Sequence, residues 1–383
     1  MSAEIENVFV FVSDALRWDY LPDEVASEGV VFKTVAQGCK TAISFPTLAT
    51  GLRPQQHSVS SWEHRLPDVV FSIFQSKSMH AAFSNSGPSA GQICPVIGAD
   101  EERDLSEVNP PFFYVKRDSN PHGPYADGFS SLERYFQDRD TGINQIREDY
   151  QQAVERSQAL FESLLDDLRN RDVLDDTLVV FTSDHGELFG EQGELGHGAP
   201  ICPELVYVPT VFFHPDLSLE DFHVDNKKEI IEHVDITKTV LSAIDHDARG
   251  MIGTDLLVEE RSRSFGYCYS EESHRGKTLY EANSIWWKDG GYVFTENQWY
   301  ELLIYIIGHA YKANRRGYLR QNLPTVLRAY FPSTQSFGSP PIEKEEAWEL
   351  MSDLLESGSQ QDTVERELGD DARETLKQLG YLQ

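Results

Sequence analysis

Residues 7–14 read NVFVFVSD, and residues 177–185 read TLVVFTSDH. Each is a run of Val, Phe and Leu that closes on Ser-Asp. Apolar runs without polar alternation mark strands covered on both faces, as in a parallel sheet. Between them, residues 146–168 carry Ile146, Tyr150, Val154, Leu160, Leu164, Leu165 and Leu168 at helical spacing. Residues 30–32, 80–83, 112–115 and 210–213 read as further buried strands, and residues 236–244 as a second helix. Buried strands alternating with helices predict an α/β fold with a mostly parallel central sheet flanked by helices.

The character changes after residue 250. Residues 264–269, 284–288 and 291–295 read as short strands around Gly290-Gly291, and residues 301–319 as a helix. Residues 331–341, with Pro, Ser and Gly, read as a linker, and residues 343–355 and 361–379 as amphipathic helices. The expected organisation is a catalytic core over 1–250 and a smaller C-terminal α+β subdomain over 251–383. Trp286, Trp287 and Trp299 lie in that second part, as faces for a sugar or as core.

With 383 residues, 40% of them hydrophobic, the chain can bury a large core. The 33 basic and 63 acidic residues give a formal charge of −30, which disfavours nucleic acid as a partner. The acids are spread along the whole chain, as on a solvated surface suited to high salt, so a halophilic protein is expected. No apolar stretch reaches the ~18 residues of a membrane span. The opening MSAEIENVFV lacks a basic, apolar and small-residue leader, so a cytoplasmic location is expected. Cys39, Cys94, Cys202 and Cys268 are widely spaced, as reduced thiols and not as a zinc site.

In open parallel sheets, functional groups gather at the carboxyl ends of strands. Asp14 follows the first strand, and Asp184 and His185 follow the TLVVFT strand. Thr41 and Ser44 are expected in a loop after an early strand. Two carboxylates, an imidazole and a hydroxyl can hold one divalent cation, with the hydroxyl oxygen as attacking group. No Gly-rich nucleotide-binding segment follows a strand.

Several segments resemble the sulfatase-like proteins of the alkaline phosphatase superfamily. NVFVFVSDALRWDYL resembles their first metal motif and SDHGE their second. TAISFPTLATGLRPQQHSV resembles the nucleophile segment. FFYVKRDSNPHGPY resembles the strand ending in P-H-x-P-Y, and ELGHGAPICPELVYVPTVFF the following G-H-G segment. EHVDITKTVL and the closing LKQLGYL also match. The resemblance covers about residues 7–245 and the extreme C-terminus. It implies an alkaline phosphatase-like fold and a metal-dependent hydrolase or transferase of phosphate or sulfate esters.

Carried over by position, the resemblance makes Asp14, Asp184, His185 and Thr41 metal ligands. Thr41 falls on the nucleophile position, with Ser44 as the competing hydroxyl. The formylglycine signature C/S-x-P-x-R is absent, because residues 43–45 read Ile, Ser, Phe. An unmodified Thr, as in relatives acting on phosphodiesters, is therefore expected. His122 would stand near the leaving-group oxygen, and His197 against the transferred group's oxygens. Lys116 would add positive charge toward the ester, and Asp118 would orient a neighbour or bind a second metal. One divalent ion is implied, Mg²⁺, Ca²⁺ or Mn²⁺, with Zn²⁺ also compatible. The substrate would be a small-molecule or a glycan- or lipid-linked ester. The substituted nucleophile motif leaves a second reading, a non-catalytic binding protein that keeps the fold.

Overall fold

The computed structural model describes residues 5–76, 79–87, 91–129, 131–138, 142–248, 250–274, 276–311, 315–358 and 361–378. Seven strands form the central sheet: β1 (Asn7–Ser13), β2 (Val30–Val35), β3 (His80–Ser86), β4 (Phe112–Asp118), β5 (Thr177–Thr182), β6 (Tyr207–Phe213) and β7 (Ile231–Glu232). Their order is β7-β2-β6-β5-β1-β4-β3. Only β6 runs against its neighbours, pairing antiparallel with β2 and β5. The mostly parallel α/β sheet expected from the two apolar runs is present.

Strand parity sorts the core. Val8, Val10 and Val12 of β1 join Phe113 and Val115 of β4 on one face. Helices α1 (Thr41–Thr50) and, through Ile236, Val240 and Leu241, α3 (His233–Ala243) cover that face. Phe9 and Phe11 point to the opposite face, against Ile146, Tyr150, Val154 and Phe161 of α2 (Ile143–Asn170). The register Ser13↔Asp118 and Val12↔Thr182 brings the carboxyl ends of β1, β4 and β5 level.

The segment expected as a loop at Thr41 is a helix. All ten residues of α1 are buried, so it has no polar face for a helical period to reveal. Pro46 stands inside it, which also argues against helix in the sequence. The helix ends at Gly51, whose φ of +65° is left-handed and whose N–H bonds Thr47 O at 2.8 Å.

The C-terminal part holds a separate antiparallel sheet, β8 (Gly266–His274), β9 (Lys277–Trp287), β10 (Gly290–Thr295) and β11 (Thr334–Gly338), in that order. The expected linker is thus in part a strand: Thr334–Phe294 to Gly338–Gly290 pairing closes the sheet edge. Of the helix expected over 301–319, α4 (Trp299–Tyr311) and α5 (Arg315–Gln321) are helical, while 312–314 lie outside the described residues; α6 (Leu323–Tyr330) follows. Helix α7 (Lys344–Glu356) packs on β9 and β10. Of the last expected helix, only α8 (Asp370–Gln378) forms, and Val364–Glu365 pairs instead with His64–Arg65. Leu368 and Leu376 return to the core of the first sheet. The end of LKQLGYL lies outside the described residues.

The two sheets are tied at buried Glu232. Its carboxylate accepts from Arg261 Nη2 at 2.7 Å and from the Tyr267 N–H at 3.1 Å, and faces Arg53 at 3.3 Å. Trp286 and Trp287 are buried and belong to the core, whereas Trp299 is exposed. No helix among the described residues is long and apolar enough to cross a membrane.

Candidate active site and metal centre

Asp14, Asp184 and His185 meet at the level carboxyl ends of β1 and β5, all fully buried. One ligand atom from each lies within 4.8 Å of the others. Asp184 Oδ1 accepts main-chain N–H bonds from His185 at 3.0 Å and Ala15 at 3.3 Å. Its Oδ2 is buried with no hydrogen-bond partner and lies 3.8 Å from His185 Nε2. His185 Nδ1 donates to Gly186 O at 2.8 Å, since a carbonyl can only accept. In its neutral form the ring therefore presents its Nε2 lone pair to the two carboxylates, 3.5 Å from Asp14 Oδ1. Gly186 has no room for a side chain, because a Cβ would stand 1.9 Å from Glu204 O.

The electrostatics follow from burial and crowding. Burial and neighbouring Asp14 raise the Asp184 carboxyl above its ordinary range. Burial lowers the His185 imidazole, but Asp184 and Asp14 outweigh it and leave it raised. An orphan carboxylate oxygen, a second carboxylate and an aimed imidazole nitrogen in one dry pocket fit a divalent cation. Among the described residues this is the one group of three or more ligating side chains so placed.

Thr41, at the start of α1, directs Oγ1 into this cluster. The oxygen lies 3.4 Å from Asp14 Oδ1 and 3.3 Å from His185 Nε2. Ser44, one turn on, faces away from it. Its Oγ bonds the Asp184 carbonyl at 2.5 Å and His233 Nδ1 at 3.1 Å. His233 Nε2 in turn donates to Ser183 O at 2.8 Å. Ser44 and His233 thus brace the main chain behind Asp184.

Lys116, expected to face the ester, and its neighbour Arg117 lie on opposite faces of β4. Arg117 shares the parity of Phe113 and Val115, and its Nη2 bonds Asp14 Oδ2, with both side chains buried. Its Nη1 bonds Asn85 Oδ1 at 2.9 Å. Lys116 points to the other face, where burial lowers its pKa and Asp104, Asp118 and Glu102 are its charged neighbours. Lys116 is therefore not beside the cluster, and Arg117, overlooked in the sequence, is. Asp118 accepts from Ser86 at 2.9 Å and Asn120 at 2.8 Å.

Two further imidazoles, His197 and His122, line the other side. The His197 ring lies 4.4 Å from that of His185 and 4.8 Å from that of His122, centroid to centroid. His122 Nδ1 donates to Gly123 O at 2.9 Å, and burial with neighbouring His197 holds its pKa well below the ordinary value. His197 Nδ1 donates to Glu187 Oε1 at 3.1 Å. Glu187 is buried and was also missed, although it follows the SDHG turn directly.

Comparison with known proteins places the chain. The Sulfatase family profile matches residues 99–246. The chain is 32% identical over 402 residues to the low-salt glycan biosynthesis sulfotransferase Agl7 of Haloferax volcanii, covering 98% of this chain and 96% of that protein. It is similar in fold to a 2-O GAG sulfatase, with a TM-score of 0.61 at 15% identity over 76% of this chain and 83% of the other. A protein in the alkaline phosphatase superfamily from Vibrio parahaemolyticus gives a TM-score of 0.53 at 18% identity over 77% of this chain and 78% of that one. The chain belongs to the sulfatase family. It is an enzyme of the sulfatase-like type, an ester hydrolase or transferase.

Proposed function

We propose that this enzyme transfers a sulfuryl group to or from a glycan, with Thr41 Oγ1 as nucleophile and one divalent cation at Asp14, Asp184 and His185. The placement of Thr41 Oγ1 between Asp14 Oδ1 and His185 Nε2 carries this reading. The end-to-end similarity to a glycan sulfotransferase supports the choice of group and partner. Oxygen-rich ligation with one imidazole suits Mg²⁺, Ca²⁺ or Mn²⁺. The bound cation would supply Lewis acidity, lowering the pKa of the Thr41 hydroxyl and offsetting charge on the transferred group.

The chain's own residues do the rest. Arg117 fixes Asp14. Deprotonated Thr41 Oγ1 attacks the sulfur, the bond to the ester oxygen breaks, and that oxygen takes a proton from His197. The group on Thr41 then passes to a sugar hydroxyl or to water, whose proton returns to His197. His197 suits this part because the Glu187 carboxylate supports its imidazolium form. His122, expected beside the leaving-group oxygen, has its Nδ1–H spent on Gly123 O and a depressed pKa, so it is a poor proton donor and the acid's part falls to His197.

Phosphoester hydrolysis is the second reading, favoured by the unmodified Thr and the Ile-Ser-Phe at 43–45. Purified protein with Mg²⁺ or Mn²⁺ is offered an aryl sulfate, an aryl phosphate and an aryl phosphodiester, each with and without a glycan acceptor. Sulfated glycan from the aryl sulfate is the expected product. Turnover of phosphoesters alone selects the second reading. No turnover of any donor, with divalent-ion binding intact, leaves a binding protein.

A further inference from the structure

Helix α4, WYELLIYIIGHAY, is apolar all round, and such a helix is normally buried on every side. Here one face packs Leu302, Tyr305 and Ile306 into the protein. The other presents Tyr300, Leu303, Ile304, Ile307 and Tyr311 to solvent at helical spacing. Trp299, Ile304, Ile307 and Tyr311 are 65%, 51%, 48% and 84% exposed, so this is an uncovered face and not a scatter of surface residues. Leu323, Leu327 and Phe331 add exposed apolar groups from α6 and its end.

The charge of the same segment reverses that of the chain. Residues 299–331 contain Lys312, Arg315, Arg316, Arg320 and Arg328, against Glu301 alone, in a protein with 63 acidic and 33 basic residues. Glu301 is itself countered by Lys277 Nζ at 3.6 Å, which also lies 5.5 Å from the Tyr300 ring. Arg320 and Arg328 are exposed. A symmetric pairing with a second copy would set this basic segment, with its exposed Arg320 and Arg328, against itself. An apolar face with Trp and Tyr on a basic segment, with Arg320 and Arg328 exposed, is complementary to an anionic bilayer surface, where rings and aliphatic groups enter the headgroup boundary and Arg meets phosphate.

We infer that α4 and α6 form a membrane-docking surface that seats the enzyme on anionic lipid without spanning it. The surface is mechanically close to the site. Tyr318 packs on Gly190, Val326 on Gly193, and Tyr330 Oη bonds Glu194 at 3.3 Å. These glycines and Glu194 lie in a short hairpin, with Leu188–Phe189 paired to Leu195–Gly196, that leads directly into His197, so docking would hold the site's His197 wall at the lipid surface. The inference stands whichever group the enzyme transfers.

The test is co-sedimentation of the full chain with phosphatidylglycerol vesicles and with phosphatidylcholine vesicles, in salt that keeps it folded. Binding to phosphatidylglycerol is expected, weakened at least about tenfold in I304E/I307E and clearly in R320E/R328E. Both variants replace exposed side chains, so melting temperature and turnover of a soluble ester should be unchanged. Absence of binding to phosphatidylglycerol vesicles, or binding that I304E/I307E leaves intact, would overturn the inference. A lipid-free dimer that I304E/I307E dissociates would overturn it in favour of a second copy.

Discussion

Arg117 bonds Asp14 with both side chains buried, 1% and 0% exposed. Asp14 also stands beside Asp184, so the guanidinium is the protein's own counter-charge for a pair of crowded carboxylates. Removing one member of a buried pair leaves the other uncompensated, which typically costs about 3–5 kcal/mol. Arg117→Met should therefore lower unfolding free energy by that order in chelator. Saturating Mn²⁺ should recover part of the loss, because a cation at Asp14 and Asp184 restores the missing charge. Denaturant melts with and without Mn²⁺ measure both effects, and an Arg117→Met protein as stable as the parent would remove the counter-charge role.

The two hydroxyls of α1 should separate cleanly. Thr41→Ala is expected to cut turnover by about a thousandfold or more, with Thr41→Ser restoring a measurable part. Ser44→Ala should retain turnover and instead lose about 1–3 kcal/mol of stability, since it leaves buried partners at Asp184 O and His233 unsatisfied. Steady-state rates and urea melts on the same preparations read both quantities. The opposite pattern would make Ser44 the nucleophile.

Glu187 acts on the reaction through His197. Glu187→Gln keeps the shape but withdraws the charge that favours imidazolium, so kcat should fall about a hundredfold. Calorimetric affinity for Mn²⁺ should stay unchanged, because Glu187 bonds His197 and is outside the Asp14, Asp184 and His185 cluster. A matched loss of metal affinity would show that Glu187 serves the cation site instead.

Stability should fall with pH well before the carboxylates titrate. Burial lowers the His57 imidazole to about 3 and the His233 imidazole to about 4. Below the unfolded value near 6.5 the unfolded chain binds protons that these folded rings refuse. Their stability contribution is therefore complete above about pH 6.5 and is lost as pH falls toward their folded values, at about 1.4 kcal/mol per pH unit for each proton. His57→Gln should flatten the slope between pH 6.5 and 4 by about one proton. Urea melts across that interval give the slope directly, and an unchanged slope would mean that His57 is protonated in the folded protein.

Much of this was legible in the sequence because hydrophobic pattern encodes layers. NVFVFV and TLVVFT are covered on both faces, so their runs show no gaps, and each delivers an Asp at its carboxyl end. Helix α2 touches the sheet with one face only, and its period was visible. Helix α1 was not, because complete burial erases the period and Pro46 argues against a helix. Thr334–Gly338 looked like a linker because an edge strand tolerates Ser, Gly and a partly exposed face. The placing of Lys116 and Arg117 was decidable in principle: extending the strand through residue 118 puts Arg117 in phase with Val115, on the face that α1 covers. Glu187 had no such signal, since a turn residue's direction depends on the fold around it.

Nucleophilic attack by Thr41 leaves a covalent mark, and catching it is the most direct test. The enzyme would be mixed with aryl sulfate or aryl phosphate in the presence of Mn²⁺, quenched in acid within one turnover, digested and sequenced by mass spectrometry. A sulfuryl or phosphoryl group on Thr41, absent when chelator is present, is the expected result. The same group on Ser44, or turnover that persists in Thr41→Ala, would contradict it.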